Sequence, residues 1–149
     1  MVRINLIKPK ALADQHLIAE YNEILMLLGY VRKYSSLETA KIPDCYCLGK
    51  GHILFFKNKL KYLKNRHEEI KKEMILRGFK PAKTIALSRF PKILCNDFIP
   101  LDKDKDIIKK RIIEKLKKKP EYYTYYRKHK PLSFLIGLIK NEQVYAKIS

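Results

Sequence analysis

Length and charge exclude several classes of protein at once. The chain has 149 residues, enough for one substantial core but few for two ordinary domains. Lys and Arg number 33 against 15 Asp and Glu, and the formal charge of +18 favours a polyanionic partner, nucleic acid first and an anionic membrane surface second. No apolar run approaches the roughly 18 residues of a spanning helix, and the first residues lack a signal-peptide pattern, so we expect an intracellular protein without a membrane role.

Apolar residues at steps of three and four predict three amphipathic helices. The first spans residues 14–34 and begins with an acid that suits a cap or a first turn. The second spans residues 58–77, where Arg77 supplies a cation for the last carbonyls and Gly78 a glycine cap. The third spans residues 102–120, from a run of aspartates to a proline. We therefore expect an all-α fold, a compact single domain of three main helices with long ordered loops.

Proline and glycine mark the connections between these helices. Pro43 and Gly49 lie in the first connection, and several prolines lie in residues 80–101, so both segments are expected to be ordered loops. We place a boundary after the third helix. Residues 1–131 are predicted to form the domain, and residues 132–149 an appended C-terminal tail.

The cysteines give little support to a metal site. Cys45, Cys47 and Cys95 are odd in number and have no C-x-x-C spacing, which argues against both a disulfide framework and a zinc ribbon. A zinc site that adds His52 is conceivable, but a C-x-C pair is not a usual zinc spacing. We expect buried or idle thiols and no metal.

Cations and aromatic rings lie close together near the end of the predicted domain. Basic residues on the third helix fall mostly off its apolar stripe, where they form either a phosphate-contacting face or merely a solvated one. Tyrosines and cations then alternate, and flat rings beside cations suit a groove or unstacked bases, although two of the rings could instead pack the helix ends together. The residues are Lys109, Lys110, Arg111, Lys115, Lys117, Lys118, Lys119, Tyr122, Tyr123, Tyr125 and Tyr126.

Two carboxylates and a histidine share one edge of the first helix. Glu20 and Glu23 are three residues apart, and His16 precedes Glu23 by seven. A carboxylate weakens DNA binding electrostatically, so one of the two is a candidate for chemistry. The alternative is a structural ion pair with a nearby Arg or Lys. No Ser-His-Asp order, Walker loop, H-E-x-x-H motif or EF-hand pattern occurs.

These residues resemble a known family, the phage-type pyrimidine-dimer DNA glycosylases also called endonuclease V. The N-terminal matches are Arg3-Ile4-Asn5-Leu6, Leu12-Ala13-Asp14-Gln15-His16-Leu17, Ala19-Glu20-Tyr21 and Glu23. Further matches are residues 31–33, 48–49, 51–52, 55–56, 59–60, 63, 77–79, 99–100 and 120, and the tyrosines at 122, 123, 125 and 126. The resemblance covers most of the chain, and its N-terminal block is highly specific.

The resemblance implies a base-excision glycosylase with coupled abasic-site lyase activity. The initiating methionine is removed, and the α-amine of Val2 attacks the sugar C1′ to form an imine that undergoes β-elimination. Glu23 would stabilise developing positive charge and carry protons. An α-amine titrates near about 7.7 to 8.0, so part of it is neutral at pH 7, whereas a lysine at about 10.4 is almost wholly charged. The DNA-contacting positions carried over are Arg3, Gln15, His16, Arg111 and Lys115.

The partner implied is damaged double-stranded DNA, read through kinking and base extrusion rather than through sequence. We expect a monomer without an obligate protein partner, and a reaction that needs no metal or cofactor. Residue 2 is usually threonine in the family, Asn22 and Met26 replace arginines, and Tyr122 replaces tryptophan. Arg32, Lys33 or the lysines of the third helix are candidates to compensate.

Three other functions stay open. One is a glycosylase or lyase for a different lesion, because Asn22 and Met26 alter the part of the site nearest the damage. Another is a non-catalytic DNA-binding relative, which would lack a working Glu23 and free residue-2 amine. A ribosome-associated basic scaffold would explain the charge but not the N-terminal block.

Overall fold

The computed structural model describes residues 3–34 and 42–142, and over these ranges helices are the predominant secondary structure. Five helices follow one another: α1 (Asp14–Lys33), α2 (His52–Phe56), α3 (Leu60–Leu76), α4 (Asp102–Lys118) and α5 (Leu132–Lys140). A two-stranded antiparallel hairpin, β1 (Thr124–Tyr125) and β2 (Lys128–His129), lies between α4 and α5. The all-α prediction is confirmed. Within the described ranges, no helix has the length and hydropathy for crossing a bilayer.

The three main helices are α1, α3 and α4, close to their predicted bounds. Gly78 ends α3 with a φ of +89°, a conformation that glycine adopts at little cost. The prediction for Arg77 was wrong, because its guanidinium donates to the carbonyls of Leu12, Pro9 and Lys10 instead of to the last carbonyls of its own helix. The Arg77 side chain reaches residues 9–12, where three backbone carbonyls accept its hydrogen bonds.

The described part of the predicted tail is built into the core. Leu135, Leu138 and Ile139 of α5 are buried, and α5 packs against α4. After the helix, the carboxylate of Glu142 accepts a hydrogen bond from the backbone N–H of Lys8 at 3.2 Å. An appended tail is therefore the wrong description for residues 132–142, whose apolar spacing gives a helix one face to bury. Residues 143–149 lie outside the described residues.

Helix α1 is the centre of the molecule. It packs chiefly against α3, and Leu17, Ile24, Leu63 and Ile70 from the two helices are completely buried. Its first residue, Asp14, is also buried, so α1 is fixed at its N-terminal end by polar contacts as well as by apolar packing. The backbone of α1 is therefore held in place, and with it the Cα positions from which its exposed side chains extend.

Candidate active site

The described chain begins with residues 3–7, here called the N-terminal segment, which form neither helix nor strand. Several of their backbone groups are hydrogen-bonded to side chains. The Arg3 guanidinium donates to the carbonyl of Leu48 at 2.8 Å. The N–H of Ile4 donates to Nε2 of His52 at 3.0 Å, and its carbonyl accepts from the Tyr46 hydroxyl at 2.8 Å. The N-terminal segment is thus held on both edges, which fixes the direction in which it enters the site.

Glu20 belongs to the support of this segment and not to its chemistry. Its carboxylate is fully buried, accepts the N–H of Asn5 at 3.2 Å and forms a two-point ion pair with Arg66 at 2.7 and 3.0 Å. Arg66 also donates to the carbonyl of Ile7. The ion-pair alternative is confirmed for Glu20, and Glu23 is left as the candidate for chemistry.

A cavity of about 200 Å³ lies where the N-terminal segment meets α1 and α4. Three cations surround it, and burial together with the neighbouring Arg3 lowers the pKa of Arg111. Cations held this close repel one another, so an anion entering the cavity gains favourable interactions with several charges at once. The lining residues are Arg3, Asn5, His16, Ala19, Arg111, Lys115 and Tyr123.

His16 is a neutral ring in this cationic cavity. Its ring lies 4.7 Å from that of the buried Tyr123, at 39° to it. Burial, followed by the charges of Arg111 and Lys115, lowers the pKa of His16 to about 4. No described residue hydrogen-bonds its buried Nδ1 atom. At neutral pH the imidazole can therefore accept or donate a hydrogen bond without adding a charge.

Glu23 lies one turn beyond Ala19 on α1, near the same cavity. It is half-buried, and this burial raises the pKa of its carboxyl group, while the positive charge of Arg3 acts in the opposite direction. A raised pKa brings a carboxyl group closer to exchanging protons near neutral pH. The arrangement is one acid near a cavity lined by three cations.

The hairpin is anchored to the start of α1 through Gln15 and Asp14. The Gln15 amide donates to the Thr124 hydroxyl at 3.1 Å and accepts the Thr124 N–H at 2.9 Å. The Asp14 carboxylate accepts from the Thr124 hydroxyl at 2.6 Å and from the N–H groups of Tyr126 and Arg127 at 3.2 and 2.8 Å. Gln15 thus positions the aromatic segment, and its contact with DNA stays a prediction.

The four predicted tyrosines divide between support and surface. Tyr125 donates to the carbonyl of Lys10 at 2.9 Å, and Tyr126 donates to the buried carboxylate of Glu73 at 2.7 Å. Both therefore pack elements together, as the alternative interpretation allowed. Tyr123 packs at a tilt against His16 in the cavity lining, whereas Tyr122 is 57% exposed and presents its ring to solvent.

Predicted contacts on the later turns of α1 are exposed. Met26 is 70% exposed, and Asn22, Arg32 and Lys33 also face solvent. Arg32 follows Glu23 by nine residues, which is about 13 Å along a helix axis. Asn22 shares a shallow cavity of about 380 Å³ with two loop lysines, Lys80 and Lys83, which sequence reasoning did not select because nothing local links them to α1.

His52 is a structural residue in this fold. Its Nε2 accepts from Ile4 and its Nδ1 pairs with the carbonyl of Cys47 at 2.8 Å, so both ring nitrogens have partners. Among residues 3–34 and 42–142, no three His, Cys, Asp or Glu side chains are grouped as metal ligands, and the three cysteines are free thiols. Val2, the predicted nucleophile, lies outside the described residues.

A cationic cavity beside a half-buried carboxylate is typical of an enzyme that acts on a polyanion. Comparison with known protein families matches residues 1–87 to the pyrimidine dimer DNA glycosylase family, and the chain belongs to that family. It is accordingly a DNA repair glycosylase, with DNA as its substrate. The match includes Arg3, His16 and Glu23, whereas Arg111, Lys115 and the hairpin come from the part of the chain beyond it.

Proposed function

We propose that this protein removes a damaged pyrimidine from duplex DNA and then cleaves the strand, with the α-amine of Val2 as nucleophile and Glu23 as acid–base group. The observation that carries the proposal is the cationic cavity, because the described chain enters it at Arg3. Arg3, the neighbour of Val2 in the chain, lines this cavity, which is the reason that the proposal assigns the residue-2 amine to it. Met1 has to be removed to expose the amine.

The proposed reaction forms a bond between the amine and C1′ and breaks the N-glycosidic, C1′–O4′ and C3′–O bonds. The neutral amine attacks C1′, the N-glycosidic bond breaks, and the pyrimidine leaves with the bonding electrons and takes up a proton. The attached amine loses one proton, and the C1′–O4′ bond then breaks, so that the sugar ring opens, O4′ takes up a proton and a protonated imine forms. A proton is next lost from C2′, and the C3′–O bond breaks with the phosphate as leaving group. Glu23 is suited to accept and return these protons, since burial raises its pKa.

The same surroundings support the nucleophilic role of an α-amine. An unperturbed α-amine titrates at about 7.7 to 8.0, and positive neighbours disfavour its protonated form. Arg3, Arg111 and Lys115 supply such charges around the cavity, and Glu23 opposes them. A larger neutral fraction raises the concentration of the reactive form at pH 7.

DNA binding is proposed to use the cavity cations, the exposed Tyr122 ring and the adjoining surface of α1. The ammonium of Lys119 lies 5.8 Å from the centre of the Tyr122 ring, which combines a stacking surface with a phosphate contact. Near Asn22, Lys80 and Lys83 are candidates to replace the arginines that the family carries on this helix. Arg32 and Lys33 would contact phosphates further along the duplex. We further propose that the protein acts as a monomer without an obligate protein partner.

Glu23→Gln tests the chemistry without removing the shape of the side chain. Strand cleavage of dimer-containing duplex in a single turnover should fall by about a hundredfold or more, because the amide cannot exchange protons. The Kd for the same duplex should be unchanged or slightly lower, since a negative charge has been removed. Glu68→Gln, at an exposed position on α3, is the matched control and should retain full cleavage. Undiminished cleavage in Glu23→Gln would assign Glu23 a structural role instead.

A further inference from the structure

One short segment, which runs from a loop into the first residue of α2, makes all three of the contacts described above for Arg3 and Ile4. Residues 46–52 supply the carbonyl of Leu48 to Arg3, the hydroxyl of Tyr46 to the Ile4 carbonyl, and Nε2 of His52 to the Ile4 N–H. We call these three groups the N-terminal clamp. We infer that the clamp positions the residue-2 amine for attack on C1′, so that Tyr46 and His52 are positioning residues for the reaction. This inference rests on the proposed function of Val2.

The two clamp bonds to Ile4 are buried at both ends. Tyr46, His52 and Ile4 are 3%, 1% and 0% exposed, so water does not compete for these hydrogen bonds. The His52 ring lies edge-on to Phe56 at 5.3 Å and to Tyr46 at 5.5 Å, which restricts its rotation. Residues 46–52 therefore hold Ile4 through both its backbone N–H and its backbone carbonyl.

The tautomer of His52 follows from its two partners. The Cys47 carbonyl can only accept, so Nδ1 carries the proton and Nε2 is free to accept the Ile4 N–H. Burial is the main reason that the pKa of His52 falls to about 4, with Arg3 and Arg111 acting in the same direction. The ring is consequently neutral at pH 7 and keeps its acceptor.

A nucleophile at a chain end needs such a device more than a side-chain nucleophile does. A catalytic side chain is positioned by the backbone on both sides of its own residue, whereas an N-terminal amine has backbone on one side alone. Fixing Ile4 leaves only the torsions of residues 2 and 3 between the clamp and the nitrogen. Because a misplacement of about 1 Å can cost about a hundredfold in rate, restricting those torsions bears directly on attack.

The same contacts could serve stability alone, and a pair of matched variants separates the two roles. Tyr46→Phe removes one buried hydroxyl that bonds to the backbone of Ile4. Tyr21→Phe removes another, since the Tyr21 hydroxyl accepts the N–H of Lys83 at 2.9 Å and Tyr21 is 7% exposed. Each variant loses one hydrogen bond between a buried tyrosine hydroxyl and the backbone, but of the two hydroxyls that of Tyr46 bonds to the N-terminal segment and that of Tyr21 to Lys83.

The experiment uses the full chain with Met1 removed, an abasic duplex at saturating protein, and borohydride to trap the imine in a single turnover. Tyr46→Phe should trap about three to ten times more slowly than wild type, with the Kd for DNA unchanged, whereas Tyr21→Phe should trap at the wild-type rate. His52→Leu should be slower still, and His52→Gln should recover part of the rate because its side-chain oxygen can accept the Ile4 N–H.

The outcomes distinguish failure of the clamp from failure of the nucleophile. If the wild-type adduct maps to Val2 but Tyr46→Phe traps as fast as Tyr21→Phe, the clamp is overturned and the amine stands. If the adduct maps to a lysine side chain, the proposed function fails and the clamp fails with it. Should His52→Leu not fold, the Tyr46→Phe and Tyr21→Phe pair still decides the question.

Discussion

Arg77 and Arg111 are cations in opposite surroundings. The Arg77 side chain is completely buried, yet it bonds to the carboxylates of Asp14 and Glu73 at 3.0 and 2.8 Å and lies against two tyrosine rings. Arg111 is half-buried and faces Arg3, and its pKa is lowered by burial and by that like charge. In the first arrangement, carboxylates neutralise a cation inside the protein. In the second, positive charges lie close together where an anion from outside the protein can reach them. Arg77 is thus held inside the protein by two carboxylates, whereas the proposed role of Arg111 is to meet an anion at the cavity.

Asp14→Asn, which removes one carboxylate partner of Arg77, should have the largest effect, a loss of stability. The substitution leaves buried Arg77 short of one carboxylate and places an amide against the N–H groups of Tyr126 and Arg127, so we expect a loss of about 3 to 5 kcal/mol in the free energy of unfolding. Denaturant unfolding measures it. Asp102→Asn is the control, because Asp102 also begins a helix but is exposed, and it should change stability by less than about 1 kcal/mol. Equal effects would mean that the Asp14 network is not a stabilising unit.

Lowering the pH should destabilise the protein through its buried histidines. The pKa values of His16 and His52 are about 4 in the folded protein against 6.5 ordinarily, and burial lowers that of His67 as well. The unfolded chain therefore takes up protons near pH 6.5 while the folded chain does not. The contribution of these histidines to stability is complete above that pH and falls toward pH 4, by roughly 2 kcal/mol for each of His16 and His52 between pH 7.5 and 5.

Urea unfolding across this pH range checks the expected direction. His129→Gln, at an exposed position, should leave the pH dependence as it is, whereas His52→Gln should make it shallower. A stability that rises on acidification would contradict the neutral state assigned to these rings.

Lys115→Gln should have the smallest effect, confined to DNA. Loss of one phosphate contact should weaken binding to duplex about three- to tenfold and reduce the slope of log K against log salt by about 0.9, with little change in stability. Lys103→Gln is the control, since Lys103 precedes Lys115 by 12 residues on α4, about 18 Å along the axis. Salt titrations of both variants measure it, and identical slopes would remove Lys115 from the DNA-binding surface.

The sequence was sufficient for the parts of the fold that rest on local periodicity. Helices α1, α3 and α4 carry apolar stripes along their whole length, and their ends coincide with acids, a glycine and a proline. Helix α5 was missed because nine residues around Gly137 give too short a pattern to separate from a tail. The family resemblance predicted the residues of the candidate site. It did not predict the hydrogen bonds and ion pairs that hold those residues in place.

Long-range polar contacts account for what was missed. Glu20 and Arg66 are 46 residues apart, and Asp14 and Arg77 are 63 apart, and no local pattern pairs them. The sequence suggested His52 as a possible metal ligand because cysteines lie near it in the chain. Its actual partner, Ile4, is 48 residues away and could not be inferred from the local pattern. Such contacts become visible only when the tertiary structure is known.

The most direct test of the central claim is the location of the covalent adduct. Native protein without Met1 should be allowed to react with dimer-containing and with abasic duplex in the presence of borohydride, and peptide mapping should place the adduct on the α-amine of Val2. Val2→Thr should trap normally because the amine survives, and N-terminal acetylation should abolish trapping. An adduct on a lysine side chain, or full activity after acetylation, would contradict the assignment of Val2.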